Sequence, residues 1–402
     1  MFGGIRLGRI AGLEVILDWS LLIVFSLILV SLGVGVFPAW HPDWSTMLAW
    51  TIAAAAAILF FVSILLHEMS HALVGRAVGI RIPRITLFMF GGMAQMEGEP
   101  PSWRAELVMA LIGPVTSLIL GVVFLTLAGS LAGGIELDPE HPREALALLG
   151  PVPTLLMWLG QINILLAIFN LVPGFPLDGG RALRALLWGL TGDLQRATRW
   201  ASRGGQAFAW LLTGIGIAMM LGIPVPPFGR GLVSGLWLVF IGWFLNNAAT
   251  MGYRQLVVRD ALEDVPVSRL MLKKITMVDP GESVHDLIEQ QLMPSGQRAF
   301  PVTENTRLVG LVSLQDLNRV PRDHWSQTAI KTIMTPRSRL TTVAPHDSAG
   351  NALSLLARQN LNQLPVVDGE HVVGMLRRED IIKWLSLQAD AHPGGTGLSA
   401  KD

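Results

Sequence analysis

The sequence predicts a polytopic α-helical membrane domain with a small membrane-associated β-sheet, followed by a soluble α/β domain. Of 402 residues, 51% are hydrophobic and only 15% are charged, and the mean hydropathy of +0.49 is high for a soluble protein. Six apolar stretches occupy the first 250 residues, whereas the remainder is mixed in composition and repeats itself. These observations predict membrane-spanning helices in the N-terminal part of the chain and an internal repeat in the C-terminal part.

Each apolar stretch approaches the roughly 20 residues that a helix needs to cross a bilayer. The stretches are 19–37, 46–66, 106–132, 153–172, 205–222 and 231–249. Arginines precede the first stretch and follow the second and fourth, whereas the intervening loops carry almost none. The positive-inside rule therefore predicts a multi-pass protein of the cell membrane with both termini in the cytoplasm.

Residues 80–97 alternate in polarity around Gly91 and Gly92 and are too few to span as a helix. This pattern predicts a β-hairpin, and segments 5–10 and 13–17 predict further strands. An amphipathic surface loop fits the pattern of the hairpin segment equally well.

Charge and cysteine content exclude several classes of function. Lys+Arg and Asp+Glu balance at 30 each, so the net charge indicates no nucleic-acid partner. The absence of cysteine excludes disulfides, thiolate metal sites and cysteine nucleophiles.

The most informative motif is His67-Glu68-x-x-His71, which follows the uncharged run 44–66. Side chains four residues apart lie on one face of a helix, so both imidazoles can bind one metal ion. Glu68 is left free to act as a general base. A polar helix–helix contact, or an ion pathway in a transporter, is the alternative for ionisable groups at this depth.

A third ligand is expected in segment 170–181, where Pro173 and Pro176 end the fourth span. Asp178 precedes a new helix and can turn inward to the metal, although capping that helix is an alternative role. Two histidines, one carboxylate and an open position are typical of catalytic zinc, one ion per chain. Non-haem iron uses a similar ligand set, but the spare Glu68 suits hydrolysis. Asn170 is a candidate for binding an oxyanion or holding the ligand loop, with helix packing as the alternative.

The C-terminal region contains a repeat of about 64 residues. Residues 300–302 and 310–316 recur as 364–367 and 374–380, each within a β-α-β-β-α unit. We therefore expect domains at 1–250, 262–325 and 330–388, and a disordered tail at 389–402.

Together, these motifs resemble the site-2 protease family of intramembrane zinc metalloproteases over residues 1–250. The resemblance rests on the 67–71 and 170–180 motifs, with weaker support from Gly91, Gly92 and the break at 112–114. It implies that His67, His71 and Asp178 are zinc ligands and that Glu68 is the general base. The repeat resembles a pair of cystathionine-β-synthase (CBS) regulatory modules.

The CBS resemblance implies adenine-nucleotide binding (ATP or AMP), in which Ser313 and Asp316 hold the ribose. The second copy departs from the pattern, because Arg377 occupies the hydroxyl position before Asp380. A purely structural or homodimerising pair of modules is the alternative.

The function expected from these resemblances is regulated intramembrane proteolysis, in which single-pass membrane proteins are cleaved within the lipid bilayer. The substrate must unwind to reach the metal, and the hairpin containing Gly91 and Gly92 could pair with the extended segment. Two alternatives remain: a CBS-regulated transporter or channel that uses the His/Glu/Asp cluster, and a catalytically inactive scaffold.

Overall fold

The computed structural model of the chain describes residues 4–96, 98–133, 146–226, 229–293 and 296–391. Internal contacts divide the chain into two units, Met1–Tyr253 and Arg254–Asp402. Each unit is described below by itself.

Long helices dominate the first unit. Those that the structure describes are α1 (Leu21–Trp40), α2 (Thr46–Ala77), α3 (Trp103–Leu131), α4 (Pro151–Asn170), α5 (Asp178–Thr191), α6 (Leu194–Met220) and α7 (Leu232–Ala261), whose residues after Tyr253 belong to the second unit. Serine side chains cap the two helices that matter most for the site. Ser45 Oγ accepts a hydrogen bond from the Leu48 amide at the start of α2, and Ser102 Oγ accepts one from the Ala105 amide at the start of α3.

Among the described residues, five helices are long and apolar enough to cross a membrane: α1, α2, α3, α4 and residues Leu232–Arg254 of α7. The protein is therefore a multi-pass membrane protein. The sixth predicted span, 205–222, falls within α6, which is not one of these five. This helix ends at Met220, before the predicted span does, and its first turns carry the exposed Arg196, Arg199 and Arg203, so only its second half is continuously apolar.

A four-stranded sheet confirms the predicted small β-structure. Its strands are β1 (Gly4–Ile10), β2 (Leu13–Asp18), β3 (Arg84–Phe88) and β4 (Gly91–Ala94), hydrogen-bonded in that order. The two hairpins are antiparallel, and they join through a parallel pairing of β2 with β3. Alternate residues of β2 and β3 are buried against α2 and α3, which fixes the sheet beside these helices.

The segment between α4 and α5 lies in backbone contact with α6. The Phe175 amide donates to the Ala201 carbonyl oxygen at 3.1 Å. A Cβ atom at Gly205 would overlap the carbonyl oxygen of Phe175, and one at Gly180 would overlap the backbone of Gly174. Only glycine permits this close approach, which determines where α5 begins.

The second unit contains a sheet with the order β5 (Ala299–Glu304), β6 (Arg307–Ser313), β9 (His371–Arg377) and β8 (Gln363–Asp368), and β7 (Thr335–Pro336) pairs with β6. Its helices are α8 (Val267–Leu270), α9 (Val284–Asp286, continued by a π-helical turn at Leu287–Leu292), α10 (Leu314–Leu317), α11 (Ile330–Ile333), α12 (Ala349–Arg358) and α13 (Arg378–Ala391). Short 3₁₀ turns occupy Arg322–His324 and Arg337–Arg339.

The predicted internal repeat is visible in this unit. Parallel bridges join Val278 to Val302 and Val343 to Val366 at equivalent positions of the two copies, and each copy has its own apolar core. The predicted tail begins at 389, but α13 continues through Ala391. The rest of that tail lies outside the described residues.

Candidate metal centre

Three side chains on two helices converge on one point. His67 and His71 lie four residues apart on α2, and Asp178 is the first residue of α5. Asp178 Oδ2 lies 3.1 Å from His67 Nε2 and 3.2 Å from His71 Nε2, and the two Nε2 atoms are 3.2 Å apart. The structure therefore brings together the three residues predicted as metal ligands.

The remaining ring nitrogens are engaged by α3. His71 Nδ1 donates to the Met109 carbonyl oxygen at 2.6 Å, which leaves Nε2 of the neutral ring as an acceptor. His67 Nδ1 lies 2.8 Å from Ser117 Oγ, and both residues are buried. Partners of this kind set the ring orientation in histidine metal sites.

The triangle of ligand atoms has the dimensions of a zinc site. In tetrahedral zinc, with bonds of about 2.0–2.1 Å, ligand atoms lie about 3.3 Å apart, close to the three distances observed here. Gly113 of α3 faces the same point, because a Cβ atom there would overlap His71 Nε2 and lie 2.6 Å from His67 Nε2. The donor set and the space around it thus fit one zinc ion.

Asp178 does not cap α5. The N-cap position belongs to Leu177, and the Asp178 carboxylate points instead at the two histidines. The capping alternative for Asp178 is therefore wrong. The proline-containing segment before α5 and the glycine contacts described above hold Asp178 at this position.

Glu68 lies beside this triangle and against the edge of the small sheet. A Cβ atom at Gly92 in β4 would overlap Cγ of Glu68 and lie 2.9 Å from Oε1. Among the described residues, the Glu68 carboxylate makes no side-chain hydrogen bond, so it can exchange a proton with a bound molecule. Gly91 begins β4 with φ +128°, which favours glycine.

Asn170 is not part of the cluster. It ends α4, and its Nδ2 donates to the Leu166 carbonyl oxygen of the same helix at 3.0 Å. This contact agrees with the packing alternative and leaves a catalytic role for Asn170 untested.

The nucleotide-binding candidates of the second unit bind one another. Ser313 Oγ donates to Asp316 Oδ2 at 2.6 Å, and the Ser313 amide donates to the same oxygen. Arg377 donates to both oxygens of Asp380, at 2.8 and 2.6 Å. These hydrogen bonds to the Asp380 carboxylate raise the pKa of the Arg377 guanidinium.

Sequence reasoning did not identify the residues of α3 that surround the ligands. Ser117 and Met109 contact the histidines, Gly113 faces all of the ligand nitrogens, and Glu106 binds Arg184 of α5. The break predicted at 112–114 is absent, because α3 is continuous through Pro114. Glu106 at the start of a largely apolar helix is a sequence signal for a functional position, but it does not show which residues that position faces.

Comparisons with known proteins match both units. The sequence profile described as peptidase family M50 matches residues 55–212, and that of the CBS domain matches 267–323 and 330–387. "Putative zinc metalloprotease Rip3" of Mycobacterium tuberculosis is 32% identical over 98% of this chain and 96% of its own length. A Synechocystis relative with the same description, sll0528, is 32% identical over 97% of each chain.

A solved structure, the site-2 protease of Methanocaldococcus jannaschii, is 29% identical to this chain. It covers 63% of this chain and 96% of its own length, with a TM-score of 0.40.

Proposed function

The chain belongs to peptidase family M50, and on that premise we propose that His67, His71 and Asp178 hold its zinc ion while Glu68 acts as general base. The protein is a zinc metalloprotease with several membrane helices and two CBS domains. The observation that carries the assignment is the triangle of ligand atoms, whose edges are 3.1–3.2 Å and which has Glu68 beside it.

Glu68 has the chemistry that peptide hydrolysis requires. When bound, zinc supplies Lewis-acid polarisation of a carbonyl group and makes water a stronger acid at neutral pH. Glu68 accepts a proton from the attacking water and returns it to the leaving amine, so no side chain forms a covalent intermediate. Ser117 and the Met109 carbonyl keep the imidazole rings oriented during this exchange.

We infer that the substrates are single-pass membrane proteins cleaved within their transmembrane segments. A helix hides its scissile bonds in its own hydrogen bonds, so the segment must be extended before it is cut. Strand β4 is last in the order of its sheet and contacts Glu68 through Gly92. An extended substrate can add to this edge by β-augmentation, with Gly91 and Gly92 leaving room for its backbone.

We also propose that the protein lies in the cell membrane with both termini in the cytoplasm. The exposed arginines of α6 (Arg196, Arg199 and Arg203) and the basic segment after α2 support this orientation. Fluorescent and alkaline phosphatase fusions at the C-terminus check it, since a C-terminus that supports phosphatase activity would invert the assignment.

For the CBS domains we propose regulation by an adenine nucleotide whose ribose is bound by Ser313 and Asp316. A nucleotide can shift the activity only by binding one conformation better than another, and a tenfold preference supplies about 1.4 kcal/mol. Asp380 contributes less to this proposal, because Arg377 occupies both of its oxygens. Homodimerisation through the CBS domains is the competing role.

The decisive experiment for the protease assignment is Glu68→Gln in the full chain. We expect zinc content to stay near one per chain while cleavage of a co-expressed single-pass protein falls at least about 100-fold, because general-base catalysis contributes about 10²–10⁴. The double variant His67→Ala/His71→Ala is the control that loses zinc. Wild-type cleavage by Glu68→Gln would refute the base assignment, and a zinc-free wild-type chain would favour the transporter alternative.

A further inference from the structure

A buried ion pair joins α3 to the helix that begins with Asp178. Arg184 Nε of α5 donates to Glu106 Oε1 of α3 at 2.7 Å, and Arg184 Nη2 contacts the same oxygen. Glu106 is 0% and Arg184 7% exposed. Charges this deeply buried are rare unless they are paired, so each of these two side chains depends on the other for its burial.

Glu106 shares one face of α3 with the residues that contact the histidines. Met109, Gly113 and Ser117 follow it at intervals of three, four and four residues, the spacing of a single helical face. Met109 orients His71, and Ser117 orients His67. Residues of α3 therefore set the orientation of both histidine rings.

Asp178 reaches the histidines from a different helix, and its position depends on where α5 lies relative to α3. Arg184 follows Asp178 by six residues of the same helix, and its guanidinium also lies 5.9 Å from the ring centroid of Phe175, before α5. The Glu106–Arg184 pair thus joins the N-terminal half of α5, which contains Asp178, to α3. Arg184 Nη2 also lies 3.7 Å from Glu99 Oε2. Sliding α5 along α3 would separate the buried Glu106–Arg184 pair, which is strongly unfavourable.

We propose that Glu106 and Arg184 are positioning residues of the metal centre. Their ion pair fixes the position of Asp178 relative to α3, the helix that orients His67 and His71. Neither residue contacts the ligand triangle. Their effect is to keep the carboxylate of Asp178 at 3.1–3.2 Å from both imidazole nitrogens. This inference rests on the proposed role of Asp178 as a zinc ligand.

The test uses the full chain in detergent and two designs that avoid an unpaired buried arginine. Glu106→Gln/Arg184→Met removes both charges at similar volume, and Glu106→Asp keeps the charge but shortens its reach. Zinc affinity is measured by competition with a graded chelator, and the visible spectrum of the Co²⁺-substituted protein reports ligand geometry. Arg196→Gln, which removes an exposed pair with Asp193, is the control.

We expect a 10- to 100-fold loss of zinc affinity and a changed Co²⁺ spectrum in both designs, the size typical of residues that support metal ligands, and no change in Arg196→Gln. Wild-type affinity and spectrum in the neutral double variant would overturn the proposal. If that variant does not keep the wild-type helical circular dichroism, the same criteria applied to Glu106→Asp decide.

Asp178→Ala, measured in parallel, distinguishes a failure of the ligand assignment from a failure of the positioning role. If Asp178→Ala keeps its zinc, the ligand assignment itself fails. If Asp178→Ala loses zinc while both Glu106 designs bind it normally, only the positioning role fails.

Discussion

Three carboxylates of this chain are almost equally buried, yet they differ in what they bind. The side chains of Asp178, Asp316 and Asp380 are 13%, 14% and 16% exposed. Asp178 faces two histidine nitrogens across a space that fits a cation, whereas Asp316 accepts from Ser313 and Asp380 from Arg377. The difference teaches that burial alone does not mark a ligand site.

The two regions therefore place different demands on a ligand. In the metal centre, His71 Nδ1 is already bonded to a backbone carbonyl, so its Nε2 and the Asp178 carboxylate are both acceptors directed at one point. A cation at that point would bind both acceptors at once. In the CBS domains the polar groups satisfy one another, so a nucleotide must displace existing hydrogen bonds.

The largest expected effect is the loss of zinc in Asp178→Ala. Removing this ligand leaves two imidazoles, and we expect zinc affinity to fall more than about 100-fold, beyond the loss typical of supporting residues. Asn170→Ala is the matched control at the other end of the same loop, because its amide binds only the Leu166 carbonyl among the described residues. Chelator competition on the purified chain measures both. Zinc loss in Asn170→Ala with retention in Asp178→Ala would reverse the ligand assignment.

The residues that converge in the candidate metal centre could be predicted from sequence because their signals are local. The motif 67–71 has the spacing of one helical face. It lies in an apolar helix, where ionisable residues are rare and usually functional. Asp178 was identified because Pro173 and Pro176 end a span, and irregular backbone at membrane depth is tolerated only against protein or a water-filled cavity. The alternation of 80–97 similarly predicted the β3–β4 hairpin.

The support of the site could not be predicted, because it depends on which helices pack together. Nothing in the sequence indicates that Gly113 faces the histidines, or that Glu106 meets a residue 78 positions later in the chain. The parallel pairing of β2 with β3 is equally non-local. The sixth predicted span stays a prediction: it falls within α6, which is apolar in its second half only, and hydropathy alone does not show where such a helix begins.

A smaller effect is expected at Gly113, where the variant tests whether the histidines need the space that the missing side chain leaves. In Gly113→Ala the new methyl group would overlap His71 Nε2, so the imidazoles or α3 must shift. We expect zinc affinity to fall about 10-fold or more, in the range produced by displaced metal ligands, with little change in helical content. Gly129→Ala is the matched control on the same helix, since open space surrounds that position. Equal zinc affinity in the two variants would show that the Gly113 contact does not constrain the centre.

The smallest single effect, at Asp380, is expected in the CBS domains, where two variants compare the two copies directly. In Asp316→Ala the ribose loses a charged acceptor, and a hydrogen bond to a charged group contributes about 1.5–3 kcal/mol, so ATP or AMP affinity should fall roughly 10- to 100-fold. In Asp380→Ala the change should stay below about threefold, because Arg377 already occupies both carboxylate oxygens.

Titration of full-length wild type and both variants with a fluorescent ATP analogue, competed by AMP, measures the difference between the copies. Ser348→Ala serves as a control at a helix cap of the second copy, where the Ser348 side chain accepts from the Gly350 amide. A larger loss in Asp380→Ala than in Asp316→Ala would mean that the Arg377–Asp380 pair opens for the nucleotide and that the second copy is the binding site. If the wild-type chain binds neither nucleotide at millimolar concentration, the self-satisfied pairs are purely structural, and the CBS domains are better explained as a dimerisation device.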